Sequence, residues 1–544
     1  MAAIVAAPAL LGAPVARRPS APLRLARERP GCRRGRPIRG RAASTADAAT
    51  LLAACTLLIR GHGSGGHGSR KQRRGRWARC VQRALRESLG VSSPRKILFL
   101  CLPGLGRLQH LTRLAEWFLG RPDSEVHMAG HPSLAAELPE GVVVHLGEGL
   151  QTESAQALGE RFAEIAKSAE SRVASLAMMM GQDSSEVIAA EVLYGAEMVR
   201  EIQPHAVVCN VPHNAGNFLH AVCRNSGISL ICVNSTARRE PQLDGEERRL
   251  LDDGHPGVLD GAQATAEEVR RLLASQLGSP LPPEDLPLTL FPGSSVLVKG
   301  SPRPHEFFTG PFIPLPRLVE DGPERQWQFQ EGHEHADLFK WLSDSGSSDP
   351  VVYLALGSIV RPSQDLLRRL VEALDGGPWR VLWSLPKSLH AFAPVASERW
   401  RVEAWLPQTK VLRHEQVKCF FSHCGGNSSQ EAMAYGMPMV CMPFYGDQYE
   451  WSRAMSEDLQ VGVSVDKVAS SATAIREAVG AVLTEPHFRK NAQATRKRML
   501  EQMESMTEQL ALPATSQRAG VPVAAWVVQR CLEGKDPRLS FPAA

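Results

Sequence analysis

The sequence predicts an α/β protein with two doubly wound, Rossmann-like domains. Three observations carry this expectation. Short apolar runs alternate with longer segments of helical period. The alternation restarts in the second half of the chain. The length of 544 residues is more than one hydrophobic core serves.

The first strand is Lys96-Ile-Leu-Phe-Leu-Cys-Leu102, closed by the glycine loop Pro103-Gly104-Leu105-Gly106. Apolar residues at Leu108, Leu111, Leu114, Ala115 and Phe118 then keep helical spacing. Strand, glycine loop and helix open a doubly wound domain. Val126–Ala129 and Val142–Leu146 read as further strands, and Glu153–Met180 and Ser184–Ile202 as helices. His205–Cys209 and Ile228–Val233 are buried strands with a helix between them. The pattern begins again at Val351–Leu356, followed by the tight turn Gly357-Ser358 and a helix over Asp365–Leu374. Strands are predicted at Trp379–Trp383, Val402–Ala404, Cys419–Ser422 and Met439–Met442. The expected division is a tail over 1–90, domains over 91–312 and 313–490, and a C-terminal helical tail over 491–544.

Composition narrows the function classes. Apolar residues are 43% and charged residues 22%, ordinary for a soluble globular protein. The net charge of +5 is concentrated near the start, where only Glu28 and Asp47 precede Glu87 among many arginines. The remainder carries no basic stripe, so no nucleic-acid partner is expected. Eleven scattered cysteines contain no CxxC pair, which points to reduced thiols and to neither a disulfide framework nor a zinc site. No run of about 18 apolar residues occurs, so no transmembrane helix is predicted. Residues 1–90 are rich in Arg, Ala, Gly and Pro and read as an organelle address, plastid before mitochondrion. Without an address the expected place is the cytoplasm. The stretch Gly61–Arg76 reads as a flexible linker.

The segment Trp405–Gln448 carries the chemistry. Strand Cys419–Ser422 runs into the loop His423-Cys-Gly-Gly-Asn427, and Ser428 is expected to open a helix. Free backbone N–H groups and the positive end of the dipole there favour phosphate. His423, Asn427 and Ser428 add side-chain donors, and Gly425 and Gly426 allow close approach. Asp447 and Gln448 offer an acceptor and an amide suited to paired hydroxyls, and Trp405 offers a flat face for a base. Ser428-x-x-Glu431 is also a capping box, so Glu431 has a purely local reading as well.

This segment resembles the signature box of family 1 UDP-glycosyltransferases in its plant form. It holds W-x-P-Q at Trp405, Pro407 and Gln408, H-C-G-x-N-S-x-x-E over His423–Glu431, G-x-P over Gly436–Pro438, and Asp447-Gln448, all within 44 residues. The element Trp341–Ser358 also resembles the family, and a weaker likeness runs from about Lys96 to Glu485. The resemblance implies a GT-B fold, two domains facing across a cleft, with acceptor on the first and nucleotide sugar on the second. It implies that Trp405 stacks on uracil with Leu406 and Gln408 at the base edge. Glu431 would hold the ribose. Ser358, His423, Gly425, Asn427 and Ser428 would hold the diphosphate, and Asp447 and Gln448 the sugar. A glutamine at the last place favours UDP-glucose. The family's tryptophan after H-C-G is here Gly426. No metal or other cofactor is expected, since no D-x-D lies in a suitable place. The stretch Val521–Ala544 holds nothing like the membrane anchor of animal members.

The chain departs from the family at the reacting centre. The family's catalytic His, in a G-x-G-H loop, falls on Arg107, and its Asp partner falls on Asn210. Arginine stays protonated and is no general base. His110 and His213, each three residues further on, are candidate replacements, with His213 the weaker. Alternatively the acceptor is a carboxylate that attacks as an anion, bound by Arg107. Met178, Met179 and Met180 would line an acceptor site or belong to core. The expected function is transfer of a sugar, glucose first, from a UDP-sugar to a small, partly apolar acceptor with inversion. The competing expectation is a non-catalytic UDP-sugar-binding pseudoenzyme or regulatory protein. Neither spacing nor composition fixes an oligomeric state.

Overall fold

The computed structural model describes residues 94–101, 105–135, 138–147, 185–210, 213–234, 258–277, 286–298, 302–313, 335–343, 349–357, 360–512 and 520–542. All belong to one compact unit, His62–Ala544. The tail over 1–90 and the helix expected over 153–180 lie outside the described residues.

The first sheet holds β1 (Arg95–Cys101), β2 (Ser124–Gly130), β3 (Val143–Leu146), β4 (Ala206–Cys209), β5 (Ser229–Val233), β6 (Leu288–Phe291) and β7 (Glu306–Phe308). Its order is β3-β2-β1-β4-β5-β6-β7 and every pairing is parallel. The helices between these strands are α1 (Leu105–Leu119), α2 (Ser185–Ile202), α3 (His213–Asn225) and α4 (Val258–Leu277). The continuous apolar run of β1 follows from burial on both faces. Ile97, Phe99 and Cys101 enter one core cluster, and Leu98 and Leu100 enter another.

After α5 (Ala336–Ser343) the second sheet holds β8 (Val351–Ala355), β9 (Arg380–Ser384), β10 (Trp400–Glu403), β11 (Val417–Ser422), β12 (Met439–Cys441) and β13 (Gly462–Ser464). It is again wholly parallel, in the order β10-β9-β8-β11-β12-β13. α6 (Gln364–Leu374), α7 (Gln408–Arg413), α8 (Gly426–Ala434) and α9 (Gln448–Arg453) lie between the strands, and α10 (Ala472–Thr484) follows β13. β8 repeats the division seen in β1. Val351, Tyr353 and Ala355 face one cluster, Val352 and Leu354 the other.

Two helices follow, α11 (Pro486–Gln509) and α12 (Gly520–Leu532). Met499, Met503 and Met506 of α11 pack with the second sheet. α12 returns to the first, while its Val523 joins the core of the second. Val521, Ala524, Val527 and Val528 share a core with Leu108, Leu111 and Leu114 of α1. Where α11 meets the 294–295 turn, Gln502 accepts from Ser294 Oγ and donates to Ser295 Oγ, both at 2.5 Å. Among the described residues no helix is long and apolar enough to cross a membrane.

Candidate functional site

In doubly wound sheets ligands gather at the carboxyl ends of the strands. β8 and β11 lie side by side with Ala355 opposite Ser422, so the loops that leave them are neighbours. The first turns at Gly357, φ +80°, and the second at Cys424, φ 58°, braced by Ser422 Oγ, which accepts from the Cys424 N–H at 3.1 Å. Between them sits the imidazole of His423. A Cβ added at Gly357 would lie 2.6 Å from His423 Nε2, and one at Gly425 2.5 Å from the same atom. Only glycine at both places lets the ring fit. Burial lowers the pKa of His423 to about 4, with the Ala355 carbonyl opposing. The ring is neutral near pH 7, and its Nδ1 is buried without a partner among the described residues.

α8 begins at Gly426, two residues before the expected Ser428, with Gly425 as an extended cap whose carbonyl accepts from the Ser429 N–H at 2.9 Å. Ser428 is therefore inside the first turn and is no cap. The capping-box reading of Glu431 does not hold, because Gly425 already takes the capping position. Freed from that role, Glu431 accepts from Gln408 Nε2 at 2.6 Å. The same amide donates to Ser428 Oγ at 3.1 Å, and Gln408 Oε1 accepts from Tyr353 O–H at 3.2 Å. Gln408 thus braces the carboxylate from below. Burial pushes the Glu431 carboxyl up, while Gln408 and the charge of Arg113 hold it down.

Trp405 stands just before α7 with 66% of its surface exposed, its ring 5.6 Å from that of His335. Its neighbour Leu406 is buried in the core, which leaves only its backbone groups for a ligand. At the exit of β12, Gln448 is buried and its Oε1 accepts from the N–H groups of Phe444 and Tyr445 at 2.9 and 3.2 Å. Asp447 beside it is half-buried, as is Asn427.

The facing side comes from the first sheet. Asn210 follows β4 directly and is buried, and Cys209 before it pairs with Leu100. On α1, His110 is buried with its ring 5.6 Å from Phe312, edge to face. Burial and the charge of Arg113 lower its pKa to about 3. One turn on, Arg113 Nη1 donates to the Phe312 carbonyl at 2.6 Å. Its charge lowers the pKa of both His110 and Glu431.

Residues 329–498 match the family model described as UDP-glucoronosyl and UDP-glucosyl transferase. That segment is similar to the nucleotide-sugar half of this family. The chain is similar to an anthocyanidin 3-O-glucosyltransferase of Fragaria ananassa, 37% identical over 131 residues, 23% of this chain and 28% of that one. It is also similar to the anthocyanidin 3-O-glucosyltransferase of Solanum melongena, 28% identical over 183 residues, 32% of this chain and 42% of the relative. The chain spans less than half the length of these curated relatives. Among solved structures, the glycotransferase of kitacinnamycin shares the fold with a TM-score of 0.56 at 18% identity, covering 81% of this chain and 99% of that one.

The matched segment brings Trp405, Gln408, His423, Gly425, Asn427, Ser428, Glu431, Asp447 and Gln448 to the carboxyl end of its sheet. Ser358 lies outside the described residues. Arg107 and His213 lie in α1 and α3, and their side chains are outside the described ones, as are Met178, Met179 and Met180. His110 is described, and its packing suits it poorly to accept a proton at neutral pH. The parts played by Gln408 as a brace, by Arg113 as a nearby cation and by Tyr353 beneath them are not legible in the sequence. Periodicity marks Tyr353 and Arg113 only as strand and helix residues, so no local signal distinguished them.

Proposed function

We propose that the protein transfers a sugar, glucose first, from a UDP-sugar to a small, partly apolar acceptor, with inversion at the anomeric carbon. The exposed face of Trp405 takes uracil. Glu431, aimed by Gln408, takes the ribose hydroxyls. The N–H groups that open α8, with neutral His423, take the diphosphate and its growing charge as the bond breaks. Asp447 and Gln448 face the sugar. The acceptor oxygen bonds to the anomeric carbon as the bond from that carbon to the phosphate oxygen breaks, and UDP leaves with the electron pair. The positive end of the helix dipole and a hydrogen bond from neutral His423 stabilise the leaving charge in this scheme without a metal ion.

The single observation that carries the reading is the joint geometry of Trp405, the Gln408–Glu431 pair and His423 wedged between two glycines. On the acceptor side, His110 is packed against Phe312 with its pKa near 3, and Arg107 stands where the family has its base. Both favour an acceptor that arrives as an anion, a carboxylate or an acidic phenol, and needs no base. The acid-poor, arginine-rich stretch within 1–90 supports a plastid address, checked by fusing it to a fluorescent reporter.

The test is UDP release by the full chain from UDP-glucose, with a panel of carboxylate, acidic phenol and neutral alcohol acceptors. Release that depends on a carboxylate or acidic phenol is expected. Tight UDP-glucose binding with no release across the panel would make the protein a non-catalytic binder. Absence of UDP binding would overturn the donor site itself.

A further inference from the structure

One buried cation outside these residues is tied to the loop that faces the sugar. Lys467, in the turn after β13, is 4% exposed. Its Nζ donates to the Phe444 carbonyl at 2.6 Å and lies 5.8 and 5.9 Å from the ring centres of Phe444 and Tyr449. An ammonium withdrawn from water is costly without partners, and one carbonyl and two ring faces supply them.

The turn that carries Lys467 is itself anchored. Arg369 of α6 donates to the carbonyls of Lys467 and Val468, the second at 2.9 Å. The Asp466 carboxylate accepts from the N–H groups of Val468 and Ala469, each at 2.7 Å. Ser470 Oγ accepts from the Asp466 N–H at 2.9 Å. The lysine is therefore aimed from a fixed base.

Phe444 is held from both sides. Gln448 Oε1 takes its N–H, and Lys467 takes its carbonyl. The peptide units on either side of this residue set the path of the backbone to Asp447 and Gln448. We propose that Lys467 is a positioning residue for the sugar half of the donor, fixing the Phe444–Gln448 backbone and thereby sugar affinity and choice, while the nucleotide half is held elsewhere. This rests on the reading of Asp447 and Gln448 as sugar contacts.

The charged and titratable groups around Lys467 are Asp466 on its own turn, Arg369 on α6, Tyr449 on α9, and Tyr445 in the loop, with Asp447 and Arg361 acting on Tyr445. Burial lowers the pKa of Lys467 to about 8, with Asp466 opposing. The charge is present below that pH and lost as pH rises through it.

The experiment is calorimetric titration of the full chain with UDP and with UDP-glucose, for the wild type, Lys467→Met and Lys467→Arg. In Lys467→Met, UDP affinity stays within about twofold, and UDP-glucose affinity falls about tenfold, as loss of a charged hydrogen bond predicts. Preference for UDP-glucose over UDP-galactose shrinks as well. Lys467→Arg restores most of the difference. In the wild type the extra affinity contributed by the sugar declines between about pH 7 and about pH 9, and in Lys467→Arg it does not. Equal loss of UDP and UDP-glucose in Lys467→Met would show a merely structural lysine and overturn the proposal, as would no loss of either. A wild-type pH profile that is flat for the sugar increment would also overturn it, and needs no variant that folds. Wild-type protein that binds no UDP would instead sink the donor-site reading beneath it.

Discussion

Replacing Gln408 by Met tests how the donor carboxylate is held. The substitution keeps length and volume and removes three contacts, to Glu431 at 2.6 Å, to Ser428 at 3.1 Å and from Tyr353 at 3.2 Å. The first is a hydrogen bond to a charged group, which contributes about 1.5–3 kcal/mol, and the loss corresponds to roughly 10- to 150-fold in UDP affinity if Glu431 must be ionised and aimed to bind. The pH dependence gives a second, independent readout. Burial already raises the Glu431 carboxyl, and Gln408 is the larger of the two influences that hold it down. A carboxylate accepts two ribose hydroxyls only when ionised, so affinity is full above its pKa and lost as pH falls through it. In Gln408→Met that acidic edge moves to higher pH. Titration of UDP over a pH series measures both quantities. A variant that binds UDP as the wild type does, with the same acidic edge, would refute the bracing role.

Trp405→Ala should weaken UDP by about 1–3 kcal/mol, the value of one base stacked on an aromatic ring. It should leave the thermal midpoint unchanged, because the ring is 66% exposed. Gly357→Ala should lower both stability and UDP affinity, since φ is +80° and the new Cβ meets His423. Gly376→Ala is the control. Its φ is +73° with nothing within 4 Å, so it should show only the strain of about 1–2 kcal/mol in chemical denaturation. His110 has a folded pKa of about 3, below its ordinary 6.5, so the unfolded chain binds its proton first as the solution is acidified. Stability from this group is full above about pH 6.5 and lost as pH falls towards about 3, and urea midpoints of His110→Leu should decline less over that window. Parallel curves for the two proteins would refute this.

Much of the fold is legible in the sequence where burial is two-sided. β1 and β8 are unbroken apolar runs because helices cover both faces, and such runs declare themselves. β6, β7 and β13 were not anticipated. They are three or four residues long, and Leu288–Phe291 stands among prolines, so there is too little length for a period to register. The residues proposed to hold the donor stand out in the sequence because many fixed positions coincide within one short segment. What they do locally was not. Gln408 turns towards Glu431 because Tyr353, 55 residues earlier, and Ser428 receive it there. Lys467 reads as an ordinary surface lysine until β13 delivers it beneath Phe444. Side-chain direction at these places depends on contacts distant in sequence, which spacing does not carry. The same holds for His110, whose helical position is plain and whose burial against Phe312 is not.

The return of α12 to the first sheet has a consequence for synthesis. Its Val521, Ala524, Val527 and Val528 complete a core whose strands end at Phe308, more than two hundred residues earlier. At 5–20 residues per second, the ribosome delivers α12 roughly 10–40 s after that sheet is available to form. Through that interval the side of α1 that α12 covers waits open while the second sheet is made. Val523 of the same helix enters the core of the second sheet, so neither sheet reaches its finished packing until α12 has emerged.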